Sequence, residues 1–348
     1  MPVCADIIPT FFGNIDEQNP VVLELISSKA MQRLKHIEQF GPQPYFISNY
    51  PQLSRYEHSL GVYALLKRYN LSQQEQIAGL LHDASHTVFS HLGDLLYQEG
   101  NMRKESYQDS IHDWFLHKMH VDEILAKYNL SLRDVSPKNP KFVALDQEYP
   151  DMNADRIEYN IHAALVLKDL QPSDIEPLLA SLQYKDKKWY FTDIAQAKRF
   201  AKISTSYNKY FYGYASNAAF YTVAVVALRQ AVKEKLITDD DLHFGLDQQV
   251  VDKLKASNNP IIKKLTAILR NIEKHYVVAD QNNFDVFVPV KMRGIDPLVL
   301  QGTKMRRLSE LSWDFNNDLK MTQQHANLGT YIKFVNIADP EIRKLLTS

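Results

Sequence analysis

The sequence predicts a mainly α protein, a helical bundle with a small β-hairpin and a small mixed α/β C-terminal appendage. Three observations point there. Apolar residues recur at helical spacing through most of the chain. Capping signals open those runs. Strand-like stretches are confined to Leu182–Phe191 and to two segments after Asn282.

The elements follow in order. Asn19 caps a helix with Pro20 at its first position, and Val22, Leu25, Ile26, Met31, Leu34 and Ile37 continue it. Gly41-Pro42 breaks that pattern, and Pro44–Pro51 reads as a loop. Ser54 with Glu57 and Ser72 with Glu75 are capping boxes, which open helices running to about Tyr69 and Leu81. Further helices are expected at about 106–119, 153–168, 194–212, 216–235, 239–255 and 260–275. Leu182–Tyr184 and Trp189–Phe191 flank Lys185-Asp186-Lys187-Lys188 as a hairpin. Phe284–Val288 and Thr330–Val335 have strand character, so the chain divides into a helical body over 1–278 and a small mixed region over 279–348.

Composition limits the function classes. With 348 residues, 45% hydrophobic and 23% charged, the chain is ordinary for a globular protein. Its formal net charge of −1, without a basic run, gives no strong nucleic-acid signal. Its single cysteine, Cys4, rules out intramolecular disulfides and fits a reducing compartment. Met1–Pro9 lacks the charged and apolar regions of a signal peptide. No stretch reaches the roughly 18 apolar residues of a spanning helix. The expectation is a cytoplasmic enzyme without membrane association.

Of 12 histidines, His58, His82, His86 and His91 fall close together. The pair His82-Asp83 offers an imidazole and a carboxylate to one cation. Adjacent residues diverge on a regular helix but converge at a frayed end, where the second capping box puts them. The alternative for such a pair is a His-rich helix end bonded to backbone.

Arg55-Tyr56-Glu57-His58-Ser59-Leu60-Gly61-Val62 resembles the opening motif of HD-domain phosphohydrolases. Ala78-Gly79-Leu80-Leu81-His82-Asp83, with His86 and Phe89-Ser90-His91, resembles their second motif. Asp155-Arg156-Ile157-Glu158-Tyr159 resembles the third. Met31–Leu34 and Ile37–Gly41 are similar to the deoxynucleoside triphosphate triphosphohydrolase branch, which includes the SAM-and-HD-domain enzymes. Arg293-Gly294-Ile295-Asp296-Pro297 is a weaker echo. The resemblance spans roughly 15–235 and implies an HD-domain helical bundle with its core at about 50–170.

By that resemblance His58, His82, Asp83 and Asp155 hold one divalent metal ion, with Mn, Mg, Fe, Zn, Ni and Co not distinguished. His86 and His91 contact phosphate or move a proton, and Asp94 orients a ring. Arg55 and Arg156 contact phosphates. Gln39 and Phe40 read the sugar, Tyr159 packs on sugar or phosphate, and Tyr212 matches a later sugar-contacting tyrosine. The implied activity is phosphoester hydrolysis of a small phosphorylated metabolite, with a nucleotide as the leading substrate. The alternatives are a nucleotide-binding regulatory module with weak turnover, a phosphomonoesterase or nucleotidase on another substrate, and a di-iron oxygenase. The relatives' association leaves room for a homo-oligomer.

The sequence also departs from that pattern. Where the family has an active-site histidine, this chain reads Ser106-Tyr107-Gln108-Asp109-Ser110, with His112 the nearest replacement. A family aspartate is Ala163 here, beside His162. Both departures bear on the substrate more than on the metal.

Overall fold

The computed structural model describes residues 6–97 and 106–347. Helices form the body around two apolar cores. Val22, Met31, Leu80, Phe220, Leu265 and Leu346 belong to one core, and Leu66, Ile157, Leu178, Phe191, Phe200 and Phe315 to the other. The helix Arg55–Arg68 lies between them. It gives Leu60 and Tyr63 to the first core and Val62, Leu65 and Leu66 to the second. A helix buried on all sides carries any polar residue it holds into the interior, and His58 is such a residue.

Both serines cap their helices, but of the two expected capping boxes only the first closes, because Glu75 turns its carboxylate to the N–H groups of Ala144 and Leu145. Ser54 and Glu57 satisfy each other's backbone N–H groups at the start of Arg55–Arg68, and the Ser72 hydroxyl accepts from the Glu75 N–H to open Gln73–Leu81. Such caps contribute about 1 kcal/mol each. The expected helices at 106–119 and 153–168 form as Tyr107–Lys118 and Ala154–Val166.

Four expected helices are interrupted, the one expected over 260–275 ending at Arg270 before a 3-10 turn over Ile272–Lys274. The first breaks at Ser28, whose hydroxyl recaps Lys29–Arg33 by accepting from the Met31 N–H. The helix expected over 194–212 runs as α-helix to Tyr207 and then widens into a π-turn over Asn208–Tyr212. There the buried Asn208 amide donates to the carbonyl of Lys291 at 2.9 Å. The helix expected over 239–255 divides into Asp239–Phe244 and Asp247–Ala256, because Asp247 turns inward to cap backbone groups of two other segments.

The expected hairpin forms as Leu182–Lys185 and Lys188–Phe191, with Lys185 paired to Lys188 so that only Asp186 and Lys187 turn, and it is extended by two strands from the far end of the chain. Lys188–Phe191 pairs in parallel with Leu298–Gln301, which pairs antiparallel with Lys304–Arg307. A second sheet orders Tyr276–Val278, Thr330–Phe334 and Val286–Val288 with Thr330–Phe334 central. Both sheets therefore join residues on either side of position 278.

An N-terminal hairpin, Asp6–Thr10 with Gly13–Glu17, is not evident in the sequence. Its strands, DIIPT and GNIDE, show no apolar alternation and carry Asp, Pro, Gly and Asn, which are depleted in strands. Tertiary contacts hold it: the buried Glu17 carboxylate accepts from the Tyr63 hydroxyl and from Lys67 Nζ. No single helix among the described residues is long and apolar enough to cross a membrane.

Candidate metal centre and substrate cleft

His58 enters the interior from the first turn of its helix, 1% exposed. Its Nδ1 hydrogen-bonds the carboxylate of Glu158, so Nδ1 carries the proton and Nε2 presents a lone pair. His82 follows the last turn of Gln73–Leu81, and its Nδ1 donates to the carbonyl of Gly79 at 2.7 Å. A carbonyl can only accept, so this Nε2 is also a lone-pair donor. The two Nε2 atoms face each other at 3.2 Å. Two bare lone pairs that close repel unless a proton or a cation lies between them.

The carboxylates complete the set. Asp155 sits in the first turn of Ala154–Val166, where the helix dipole favours an anion. Its Oδ1 lies 3.1 Å from His58 Nε2 and 3.7 Å from His82 Nε2. Asp83 reaches both rings at 3.5 Å, one through each oxygen. Donor atoms bound at roughly 2.1 Å to one ion stand about 3.0 Å apart at octahedral edges and about 3.4 Å apart at tetrahedral ones. The observed separations fit that shell. Among the described residues, His58, His82 and Asp155 bring their donor atoms within 4.8 Å of one another.

The electrostatics agree. Burial disfavours the charged form of His58, but Glu158, Asp155 and Asp83 outweigh it and hold the ring well above the usual histidine range. His82 is raised in the same way, with Asp83 and Asp155 opposing burial. Asp155 is lowered despite burial by hydrogen bonds to the two rings. Such a field draws positive charge to one point. A divalent ion held there would polarise a phosphoryl oxygen and lower the pKa of a bound water.

Gly61 lies one turn beyond His58 for a steric reason. A Cβ at that position would overlap the Glu158 carboxylate. The glycine thus makes room for the acid that orients the histidine.

Arg55 lies elsewhere than a simple phosphate contact would require. It is buried, donating from Nη1 to Asp83 at 2.5 Å and from Nε to the Ser90 hydroxyl at 2.6 Å. Nη2 has no hydrogen-bond partner among the described residues. Arg55 is therefore first of all the counter-ion of Asp83, one of the candidate ligands. It is the largest influence opposing burial at Asp83, which is held well below the usual range.

His86 stands 3.3 Å from Asp83 through Nε2, and burial pushes its pKa down to about 4. The next turn carries two consecutive non-glycine residues at positive φ, Phe89 at 62° and Ser90 at 57°, a conformation that needs outside support. Asp247 accepts the Phe89 N–H at 2.8 Å, and Ser90 Oγ is tied to Arg55 and to the carbonyl of Glu38. The turn brings the His91 ring to 5.1 Å from the His86 ring. Asp94 faces His91 Nδ1 at 3.2 Å and accepts the Tyr107 N–H at 2.6 Å.

A cleft beside this centre is lined by Gln39, Phe40, His91, Tyr159, Phe211, Asn217, Tyr221 and Arg293. Three of the residues expected to touch a sugar, Gln39, Phe40 and Tyr159, are thus brought together. The Gln39 amide oxygen is buried without a partner among the described residues. Phe40 packs edge-on against Phe211 at 5.2 Å and narrows the cleft. Arg156 lies outside this lining and donates to the carbonyl of Asp151 at 2.9 Å. The side chain of Tyr212 lies outside the described residues.

His112 lies behind the His82-Asp83 turn. Its Nδ1 meets Ser85 Oγ at 2.9 Å, its Nε2 is buried without a partner among the described residues, and burial lowers its pKa to about 4. His162 faces Glu158 at 3.0 Å and stacks on Phe11 at 4.1 Å. Sequence reasoning missed Glu158 as the partner of His58, Ser90 and Asp247 as supports of the turn, and Arg293 as part of the cleft. The third motif contains Glu158 and the weak echo contains Arg293, but His58 lies 100 residues from Glu158 and the residues that share the cleft with Arg293 are likewise distant in the chain.

Residues 55–144 match the HD domain family. The chain is 29% identical to the uncharacterized protein YdhJ of Bacillus subtilis, over 90% of this chain and 95% of that one. It is 31% identical to the metal-dependent phosphohydrolase cns2 of Cordyceps militaris, over 49% of this chain and 48% of that one. It is also 31% identical to the deoxynucleoside triphosphate triphosphohydrolase SAMHD1 of Gallus gallus, over 37% of this chain and 25% of that one. The fold resembles a solved Bacteroides thetaiotaomicron phosphohydrolase, with TM-score 0.69, 15% identity, and coverage of 95% of this chain and 100% of that one.

Proposed function

We propose that this chain, whose residues 55–144 match the HD domain family and which is similar to metal-dependent phosphohydrolases, hydrolyses a small phosphorylated metabolite of the nucleotide class, with deoxynucleoside triphosphates the leading version. The observation that carries the reading is the convergence of His58, His82 and Asp155 donor atoms, with Asp83 beside them. One divalent ion held by these four residues leaves positions for water and a phosphate oxygen. His86 and His91, both held below the usual histidine range by burial, are then neutral near pH 7 and able to accept a proton or a hydrogen bond. Gln39 supports the nucleotide version, since its buried acceptor suits a sugar hydroxyl. The SAMHD1 similarity supports it over a limited stretch.

The test is metal analysis of purified protein, then a substrate screen with that metal restored. Tripolyphosphate released from a deoxynucleoside triphosphate supports the leading version. Orthophosphate released from a monoester supports the phosphomonoesterase instead. The absence of either product across nucleotides and phosphomonoesters would remove both. His112, enclosed behind Ser85, favours one other reading, a nucleotide-binding module with weak turnover. Nucleotide binding by calorimetry with no hydrolysis over hours would support that reading.

A further inference from the structure

The metal centre accounts for one phosphate of a substrate. A second concentration of positive charge stands on another side of the cleft, supplied by a segment far along the chain. The backbone there is fixed to the helix Ile194–Tyr207 and its π-turn. Ser204 Oγ donates to the carbonyl of Arg293 at 3.1 Å, and Asn208 Nδ2 donates to that of Lys291 at 2.9 Å. Both anchoring side chains are buried. Gly294 packs closely, since a Cβ there would stand 3.2 Å from Thr205 Cγ2. Asp296 fixes the following turn by accepting from the N–H and hydroxyl of Ser309.

This rigid segment delivers Arg293 into the lining shared with Gln39, His91 and Tyr159. Arg293 hydrogen-bonds Tyr159, one helical turn after Asp155. Two residues before Arg293, the Lys291 ammonium is lowered from its usual value first by the charge of Arg293, then by burial and by Arg156, against the carboxylates of Asp109 and Asp155. A guanidinium in the cleft wall, with two further cations acting on the same segment from outside the lining, favours an anion there.

We propose that Arg293, flanked by Lys291 and Arg156, binds a second anionic group of the substrate, one that is not the group held at the metal. The inference rests on the phosphohydrolase reading of this site and deepens it. It assigns a substrate with at least two negatively charged groups, such as a nucleoside di- or triphosphate, over a simple monoester. A guanidinium fork suits a phosphate oxygen pair, and a charged hydrogen bond of that kind corresponds to about tenfold or more in affinity.

The test uses the full chain loaded with Mn, titrated calorimetrically with inorganic tripolyphosphate and separately with orthophosphate. Arg293→Ala is expected to weaken tripolyphosphate binding by about tenfold or more and orthophosphate binding by less than about twofold, with bound Mn unchanged. Arg293→Lys should retain part of the difference, and Lys291→Ala should show a smaller loss. Equal weakening of both anions, or of neither, would overturn the proposal. Should Arg293→Ala not fold, the other two variants carry the test, and an unchanged tripolyphosphate affinity in both overturns it. Product analysis separates the two readings. A wild-type protein that hydrolyses no phosphoester but shows this binding pattern refutes the proposed activity alone. An active wild type with unchanged variants refutes only the role of Arg293.

Discussion

His58 and Glu158 form a closed pair, ring Nδ1 to carboxylate, and the same carboxylate meets His162 Nδ1 at 3.0 Å. Glu158 is fully buried. It sets the tautomer of His58, aims Nε2 at Asp155 and His82, and raises the basicity of that nitrogen. Partners of this kind commonly govern metal affinity by about 10–100-fold.

Glu158→Gln is therefore expected to weaken metal binding by about 10–100-fold while keeping the helical content. Competition with a chromophoric chelator measures it. Wild-type affinity in this variant would show that Glu158 does not orient the ring. Gly61→Ala should act in the same direction, because its new methyl displaces the Glu158 carboxylate.

His82→Ala and Asp83→Ala should both remove bound metal and activity, but they should differ in stability. His82 is bonded to one carbonyl. Asp83 neutralises the buried Arg55, and leaving such a charge unpaired costs about 3–5 kcal/mol. Circular dichroism melts should place Asp83→Ala well below His82→Ala, and Asp83→Ala with Arg55→Met should recover part of the loss. Equal melting of the two single variants would argue against Arg55 as the counter-ion.

Chelation should lower the melting temperature of the metal-loaded protein, since an ion bound only by the folded state stabilises it by mass action. Restoring the ion should restore the melt. His82→Ala should melt at the same temperature with and without chelator, and a chelator effect that persists in it would place the metal elsewhere.

The pH dependence of stability should trace to Asp247. Burial raises its carboxyl to about 7, against the opposing N–H groups of Glu38 and Phe89. Glu38 is also raised to about 7, by burial first and then by the charges of Asp247 and Glu57. A raised folded-state pKa means that the folded protein keeps protons the unfolded chain has released. This contribution is complete below about pH 4 and is lost as pH rises through about 7. Asp247→Asn should remove part of the fall in stability between about pH 4 and pH 7, as measured by denaturant unfolding. A slope equal to wild type would assign the dependence to other groups.

Local signals read from the sequence located the helix starts that matter. Capping boxes at Ser54 and Ser72 depend only on residues three apart, so they placed His58 in a first turn and His82 at a helix end before any tertiary contact was known. The sequence could not show that Asp247 would end one helix and begin another, because its partners, Glu38 and Phe89, are 209 and 158 residues away. The N-terminal hairpin was hidden for the same reason, since Glu17 gains its role from Tyr63 and Lys67 on another helix.

The sequence by itself determined the donor chemistry, the helical setting and the motif order of the candidate metal centre, since imidazole, carboxylate and capping residues are properties of short segments. Only the tertiary structure decided how those donors are oriented and what faces them. Glu158 became the partner of His58, Arg55 became the counter-ion of Asp83, and Arg293 became part of the cleft. The reason is physical. Ligand identity is written in residue type, whereas direction, burial and charge compensation arise only when segments distant in the chain exclude water from the same small volume.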